Sequence, residues 1–273
     1  MNPHPFDLLM ELQTHEIRLD CAALHLARDV YPILNTSRYM EILDTLAEEV
    51  AAHRAGLAAH LRYEAMQSVL VNAYGLTGND DDDYDPDHCY LNRVLDTGQG
   101  NPIALSVIWI EVARRLKWPV SGVALPGHFV VRFDDPDRFV LASPFYDGRS
   151  LSLGDCQLLV EEAFEGELEF RSGQLEPVDT RAILVRMLAN LRSVYLGRND
   201  LPRVANILRR MAAVEPANGR HLQDLAAVCC RRGDVRGACE HLALYLHRQP
   251  NSRDSRIVRR NLKQLQAALV ALN

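Results

Sequence analysis

A chain of 273 residues with 48% hydrophobic and 24% charged residues has the composition of a folded globular protein and the length of one large or two ordinary domains. A formal net charge of -6 argues against a broad basic groove, so nucleic acid is not an expected partner. The six cysteines form no CxxC pair, no signal-like or membrane-length apolar run occurs, and the expected setting is a reducing cytoplasm with no membrane partner.

From Pro5 to about Gly75, apolar residues recur at helical spacing, as in Leu19, Ala22, Ala23 and Leu26. Asn35, Thr36 and Ser37 offer N-cap side chains for a helix over Arg38 to about Leu61, and another is expected over Arg62 to Tyr74. The acidic stretch Asp80 to Asp83, with Asp85 and Asp87, reads as a solvated turn, because it lacks the spaced glycine and distal glutamate of an EF-hand loop. Asn101 and Pro102 open a helix running to Leu116.

The period then changes to two. His128 to Phe133 and Arg138 to Ala142 read as an antiparallel hairpin turned at Asp134 to Asp137, followed by a short helix from Gly154 to about Phe164. From Thr180 onward the pattern is wholly helical and repeats. Leu188, Leu191, Val194, Tyr195, Asp200, Leu208 and Pro216 recur in register as Leu222, Leu225, Val228, Cys229, Asp234, Leu242 and Pro250. Ile257 to Leu272 is expected to cap the array. With Tyr195, Ala238, Pro216 and Pro250 at matching positions, the segment resembles the tetratricopeptide repeat, without that repeat's tryptophan and glycine.

The stretch DYDPDHCYLNRVLDTGQGNPIALSVIWIEVARRLKWPVSGVALPGHFVVRF resembles the bacterial SirB-one family, whose signature runs roughly YxDPxNSYLNxVLxxxxGxPIxLSxxxxEVARRLxxPxxGxxxPGHFxxR. The resemblance implies an α+β chain: a helical N-terminal region and a transglutaminase-like (papain-like cysteine-protease-type) domain over 1–178, then tetratricopeptide-like repeats over 179–273. It also carries the family's label as a regulator.

Active members of the wider superfamily place a cysteine at a helix start, a histidine on a following strand and an aspartate on the next. A thiolate there gains from the helix dipole, the imidazole takes its proton, and the carboxylate orients the imidazole. The corresponding positions are Pro102, His128 and Ser143, so two of the three groups are missing and a non-catalytic protein is expected. The alternative is a cysteine hydrolase or acyltransferase that uses Cys89 with His128; against it, Cys89 also reads as a packing thiol and His128 as a structural residue holding Pro126 and Gly127.

No metal or other cofactor is expected. His88 and His128 lack a third ligand, and Gly98-Gln99-Gly100 lacks the lysine and hydroxyl residue of a phosphate loop. Cys229, Cys230 and Cys239 read as repeat-helix thiols. Asn92, Arg93 and Glu111 stand as polar residues among apolar helical ones, with Asn92 and Glu111 expected to bond within the domain or to a ligand; Arg114 and Arg115 are expected to face solvent. In the repeats, Asn190, Arg192, Arg209, Arg210 and Arg220 are candidates to line a groove for a protein or peptide partner bearing an acidic or C-terminal carboxylate, with solvated helix faces as the alternative.

Overall fold

The computed structural model describes residues 4–53, 56, 58–79 and 85–271; the acidic run Asp80 to Asp83 lies outside them. The chain packs as two units. One comprises residues 12–187, and the other comprises 188–273 together with 1–11.

In the first unit, the expected N-terminal helical region consists of α2 (Leu19–Ala27), α3 (Thr36–Ala52) and α4 (Ala59–Met66), after a short α1 (Pro5–Leu9) that belongs to the other unit. The single helix expected from Arg38 to Leu61 is therefore two. A side chain at Gly56 would run into Leu61. The start of α4 is set from far along the chain, where Asp135 accepts the Ala59 amide at 2.8 Å and pairs with the buried Arg62 at 2.8 Å. No local capping signal announces that helix, because its cap lies in a distant turn. The helix expected from Arg62 to Tyr74 likewise stops being regular at Met66, where Gln67–Ala73 continues as a π-helical turn before Gly75, at φ 65°, ends it.

The helices α5 (Leu91–Thr97) and α6 (Pro102–Arg115) follow, and α6 packs on a four-stranded antiparallel meander, β1 (Val120–Val123), β2 (Val130–Asp134), β3 (Phe139–Ser143) and β4 (Arg149–Leu151). Alternation along β2 divides the core. Phe133 meets Trp109 of α6 and Tyr63 of α4 edge-on, each at 6.1 Å between ring centres. Val130 joins Val123, Leu141, Leu151 and the α7 (Leu153–Ala163) residues Cys156, Leu159 and Val160 in the cluster on the other face. The hairpin forms as expected, with Phe133 opposite Val140, but it starts later than His128. His128 closes a turn in which its amide bonds to Leu125 O at 2.9 Å, and Pro126 with Gly127 at φ 75° are the central residues.

Beyond a 3-10 turn at Ser172–Leu175, the chain is helical: α8 (Thr180–Gly197), α9 (Leu201–Val214), α10 (Arg220–Arg231), α11 (Val235–Arg248) and α12 (Ser255–Ala271). The 34-residue sequence period is matched by the backbone. Asn199 and Gly233 both take positive φ, 52° and 75°. The next residues, Asp200 and Asp234, have nearly the same angles, accept the amides of Arg203 and Gly237, and donate their own amides to Tyr195 O and Cys229 O at 2.9 Å. Two helical hairpins therefore share one turn construction. Ala212, Leu222, Cys229, Ala238, Leu242, Tyr245 and Val258 form the core between them and α12. Among the described residues, no helix is long and apolar enough to cross a membrane.

Candidate functional site

The head of α6 is built by Asn101 and Pro102. Asn101 caps the helix by accepting the Ala104 amide at 2.9 Å, Pro102 takes the first turn, and Ser106 returns a hydrogen bond to Pro102 O at 2.7 Å. Cys89 lies against this cap, its Sγ accepting from Asn101 Nδ2 at 3.1 Å. Cys89 is 5% exposed, and burial pushes its thiol up to about 12 despite the Asn101 hydrogen bond. At neutral pH it is therefore a protonated thiol, the reverse of what a nucleophile at a helix head requires.

His128 is 7% exposed. Its Nε2 lies 3.1 Å from the Oγ of Ser143, which is fully buried, its ring stacks on Tyr146 at 5.2 Å, and Phe145 meets it edge-on at 6.0 Å. Burial, reinforced by Arg186 and Arg149, drives the imidazole down to about 4, so it is neutral near pH 7. Of the three superfamily positions, the structure thus joins His128 to Ser143. The hydrogen bonds of Cys89 and His128 go to Asn101 and Ser143, and not to each other.

At the other end of α6, Glu111 is 1% exposed and meets Arg114 Nη2 at 2.6 Å and Arg115 Nη1 at 3.0 Å. Both arginines also reach Asp20 of α2, which is fully buried and further paired with Arg18 at 2.8 Å. The expectation of solvent-facing side chains holds for Arg114 and is corrected for Arg115. The Arg115 side chain is 11% exposed, held by the buried Asp20 and Glu111 and also paired with the exposed Asp44, whereas Arg114 is half exposed but paired. Burial would raise Asp20, yet the hydrogen bonds from Arg18 and Arg115 overcome it and hold the carboxyl at about 2. Burial raises Glu111, against its Arg114 hydrogen bond. Asp20, inside an apolar helical pattern, carried no sequence signal of its own.

Asn92 is 2% exposed on α5 and lines a recess of about 360 Å³ with Arg93 and Asp96. Arg93 pairs with Asp87 at 2.9 Å. In the repeats, Asn190 is half-buried on α8, Arg192 pairs with Asp224 of α10 at 3.6 Å, and Arg220 is exposed one turn before Asp224. Arg209 donates to Asn206 at 2.7 Å, and Arg210 pairs with Asp7 of α1 at 2.6 Å. Cys230 is exposed, Cys239 half-buried and Cys229 buried. Among the described residues, no group of three or more histidine, cysteine or acidic side chains is arranged to hold a metal ion.

Residues 37–189 match the family model described as the transglutaminase-like superfamily. A UPF0162 protein of Xylella fastidiosa strain 9a5c is 35% identical over 267 residues, covering 94% of this chain and 93% of the relative. A UPF0162 protein of Pseudomonas aeruginosa is 29% identical over 181 residues, covering 66% and 65%. Human F-box only protein 21 is 28% identical over 145 residues, which is 50% of this chain and 22% of that protein. No solved structure matches. The chain belongs to the transglutaminase-like superfamily and, within it, to the UPF0162 family.

Proposed function

We propose that the protein is a non-catalytic, cytoplasmic interaction and regulatory protein of SirB-one type, in which the transglutaminase-like part over 1–178 has lost acyl transfer and tetratricopeptide-like repeats over 179–273 bind a partner. One observation carries the reading: at the head of α6, where a superfamily nucleophile would gain from the dipole, stands Pro102, and His128 is bonded to Ser143 instead of to a thiol and a carboxylate. The repeated turns at Asn199-Asp200 and Gly233-Asp234 support the repeat assignment. Asn190, Arg192 and Arg220 are the proposed partner-binding residues, with an acidic or C-terminal peptide carboxylate as the recognised group.

The second reading, a hydrolase or acyltransferase using Cys89 and His128, draws on the position of Cys89 Sγ beside the α6 cap. Its protonated, buried thiol makes it the weaker reading. Two assays on the purified full chain separate them. The interaction reading expects no amine incorporation or thioester hydrolysis above background, and loss of captured partners in Arg192→Glu with Arg220→Glu. Turnover abolished by Cys89→Ser would establish the hydrolase.

A further inference from the structure

The net charge of -6 conceals a segregation: residues 188–273 hold 15 arginines and lysines against 6 aspartates and glutamates, so the repeat helices are basic and the acidic excess lies in the residues before them. Within that unit, α10 packs against both α9 and α11, and the three helices line a pocket of about 200 Å³. The buried Leu222 and Leu225 of α10 form its floor, and its walls carry Ala213 of α9 and Leu244 of α11, which is 36% exposed. Arg209 and Arg248, both exposed, stand at its edge on the two flanking helices. Arg209 donates to Asn206 at 2.7 Å, and among the described residues no carboxylate pairs with either arginine. The other titratable groups at the pocket are settled within the unit. Asp7 is paired with Arg210 at 2.6 Å, and burial, reinforced by Arg209, holds the His241 imidazole below its ordinary value and neutral at pH 7.

We propose that this pocket is a docking site for an acidic segment of a partner protein, one apolar side chain of which enters over Leu222 and Leu225 while carboxylates on either side of it pair with Arg209 and Arg248. A cavity of roughly 150 Å³ admits a benzene ring, so the pocket takes a single leucine- or phenylalanine-sized side chain. The two guanidiniums present forked donors that match carboxylates, and their charge is not already spent on an acid of this chain. A nucleic acid fits the surface less well. Tyr195 and Tyr245 are buried, and residues 188–273 contain neither tryptophan nor phenylalanine, so no exposed aromatic ring of these types is offered to a base. The proposal rests on the reading of the repeats as the partner-binding part, and it places the contact on α9 and α11 instead of at Asn190, Arg192 and Arg220, where Arg192 is already engaged by Asp224.

The test is a fluorescence-anisotropy titration of the full chain with the dye-labelled, capped peptide Glu-Asp-Glu-Leu-Glu-Asp-Glu, a version with alanine for leucine, and a version with glutamine and asparagine for the acids. Saturable binding of the parent peptide is expected. It should weaken roughly tenfold with alanine at the centre, the worth of one buried apolar side chain. It should weaken by about tenfold or more when the acids are neutralised, and likewise in Arg209→Glu with Arg248→Glu, where two attractive pairs become repulsive. Arg192→Glu with Arg220→Glu should change it far less. No saturable binding, equal affinity of the parent and alanine peptides, or unchanged binding in the variant reversed at Arg209 and Arg248 would overturn the proposal. A loss confined to the variant reversed at Arg192 and Arg220 would also overturn it, while leaving the repeats as the binding part. Displacement of the peptide by a thymidine oligonucleotide or by phosphatidylserine vesicles, at a lower concentration than the unlabelled peptide needs, would assign the surface to phosphate groups and overturn it as well. If the charge-reversed chain does not fold, Arg209→Gln with Arg248→Gln, which removes the charges without reversing them, takes its place.

Discussion

Cys89 is protonated by burial, His128 is neutral by burial, and Pro102 has neither a donor nor a nucleophile. The charged cluster at the far end of α6 shows the opposite use of burial, since Asp20 is ionised because arginines surround it. Removing one partner from such a cluster leaves uncompensated buried charge, so Asp20→Ala is expected to lower unfolding free energy by roughly 3–5 kcal/mol. Arg114, with its side chain 46% exposed, should cost about 1 kcal/mol or less as Arg114→Gln. Urea unfolding of the two variants checks the contrast; equal losses would mean that the cluster does not act as a buried unit. This part of the molecule was only half legible in the sequence. Glu111 stood out as a polar residue in an apolar helix, but Asp20, which shares Arg114 and Arg115 with it, lies about ninety positions earlier, and nothing local to either carboxylate announces the cluster.

At the scale of elements, legibility tracked how local the determining contacts are. The N-cap and first-turn proline of α6, the β2–β3 hairpin and the repeat turns were readable because neighbouring residues specify them. The break between α3 and α4 was not, because Asp135 caps α4 from the hairpin turn, and β4 was not, because three residues carry too little alternation. The repeat turns can be tested directly. Asp200→Ala and Asp234→Ala each remove a side-chain acceptor from a helix start and should each cost about 1 kcal/mol. Gly233→Ala puts a Cβ at φ 75° and should destabilise by about 1 kcal/mol, whereas Asn199→Gly, at φ 52°, should be neutral or stabilising. Thermal melts of the four variants read both effects, and a stabilising Gly233→Ala or a destabilising Asn199→Gly would contradict the shared turn.

For the whole molecule, the buried histidine ties stability to pH. His128 titrates near 4 when folded, against about 6.5 when unfolded, so between these values the unfolded chain binds the extra proton. The stabilisation is complete above about pH 6.5 and lost as pH falls toward 4, by up to about 3 kcal/mol. His128→Gln should flatten that part of the stability curve, and an unchanged slope in the variant would mean that another group sets it. Asp20 adds a further loss only below about pH 4, as its carboxyl is protonated. The transglutaminase-like match spans α3 to the start of α8, and Pro102 at the head of α6 is the reason this scaffold is proposed to serve binding.

Reaction of the native protein with limiting iodoacetamide at pH 7, read site by site by mass spectrometry in wild type and His128→Ala, decides whether the chain holds an activated cysteine. The exposed Cys230 is expected to be modified first, and the buried Cys89 to react slowly and at the same rate in both proteins. Rapid, selective modification of Cys89 that disappears in His128→Ala would reveal a working cysteine–histidine pair and overturn the non-catalytic reading.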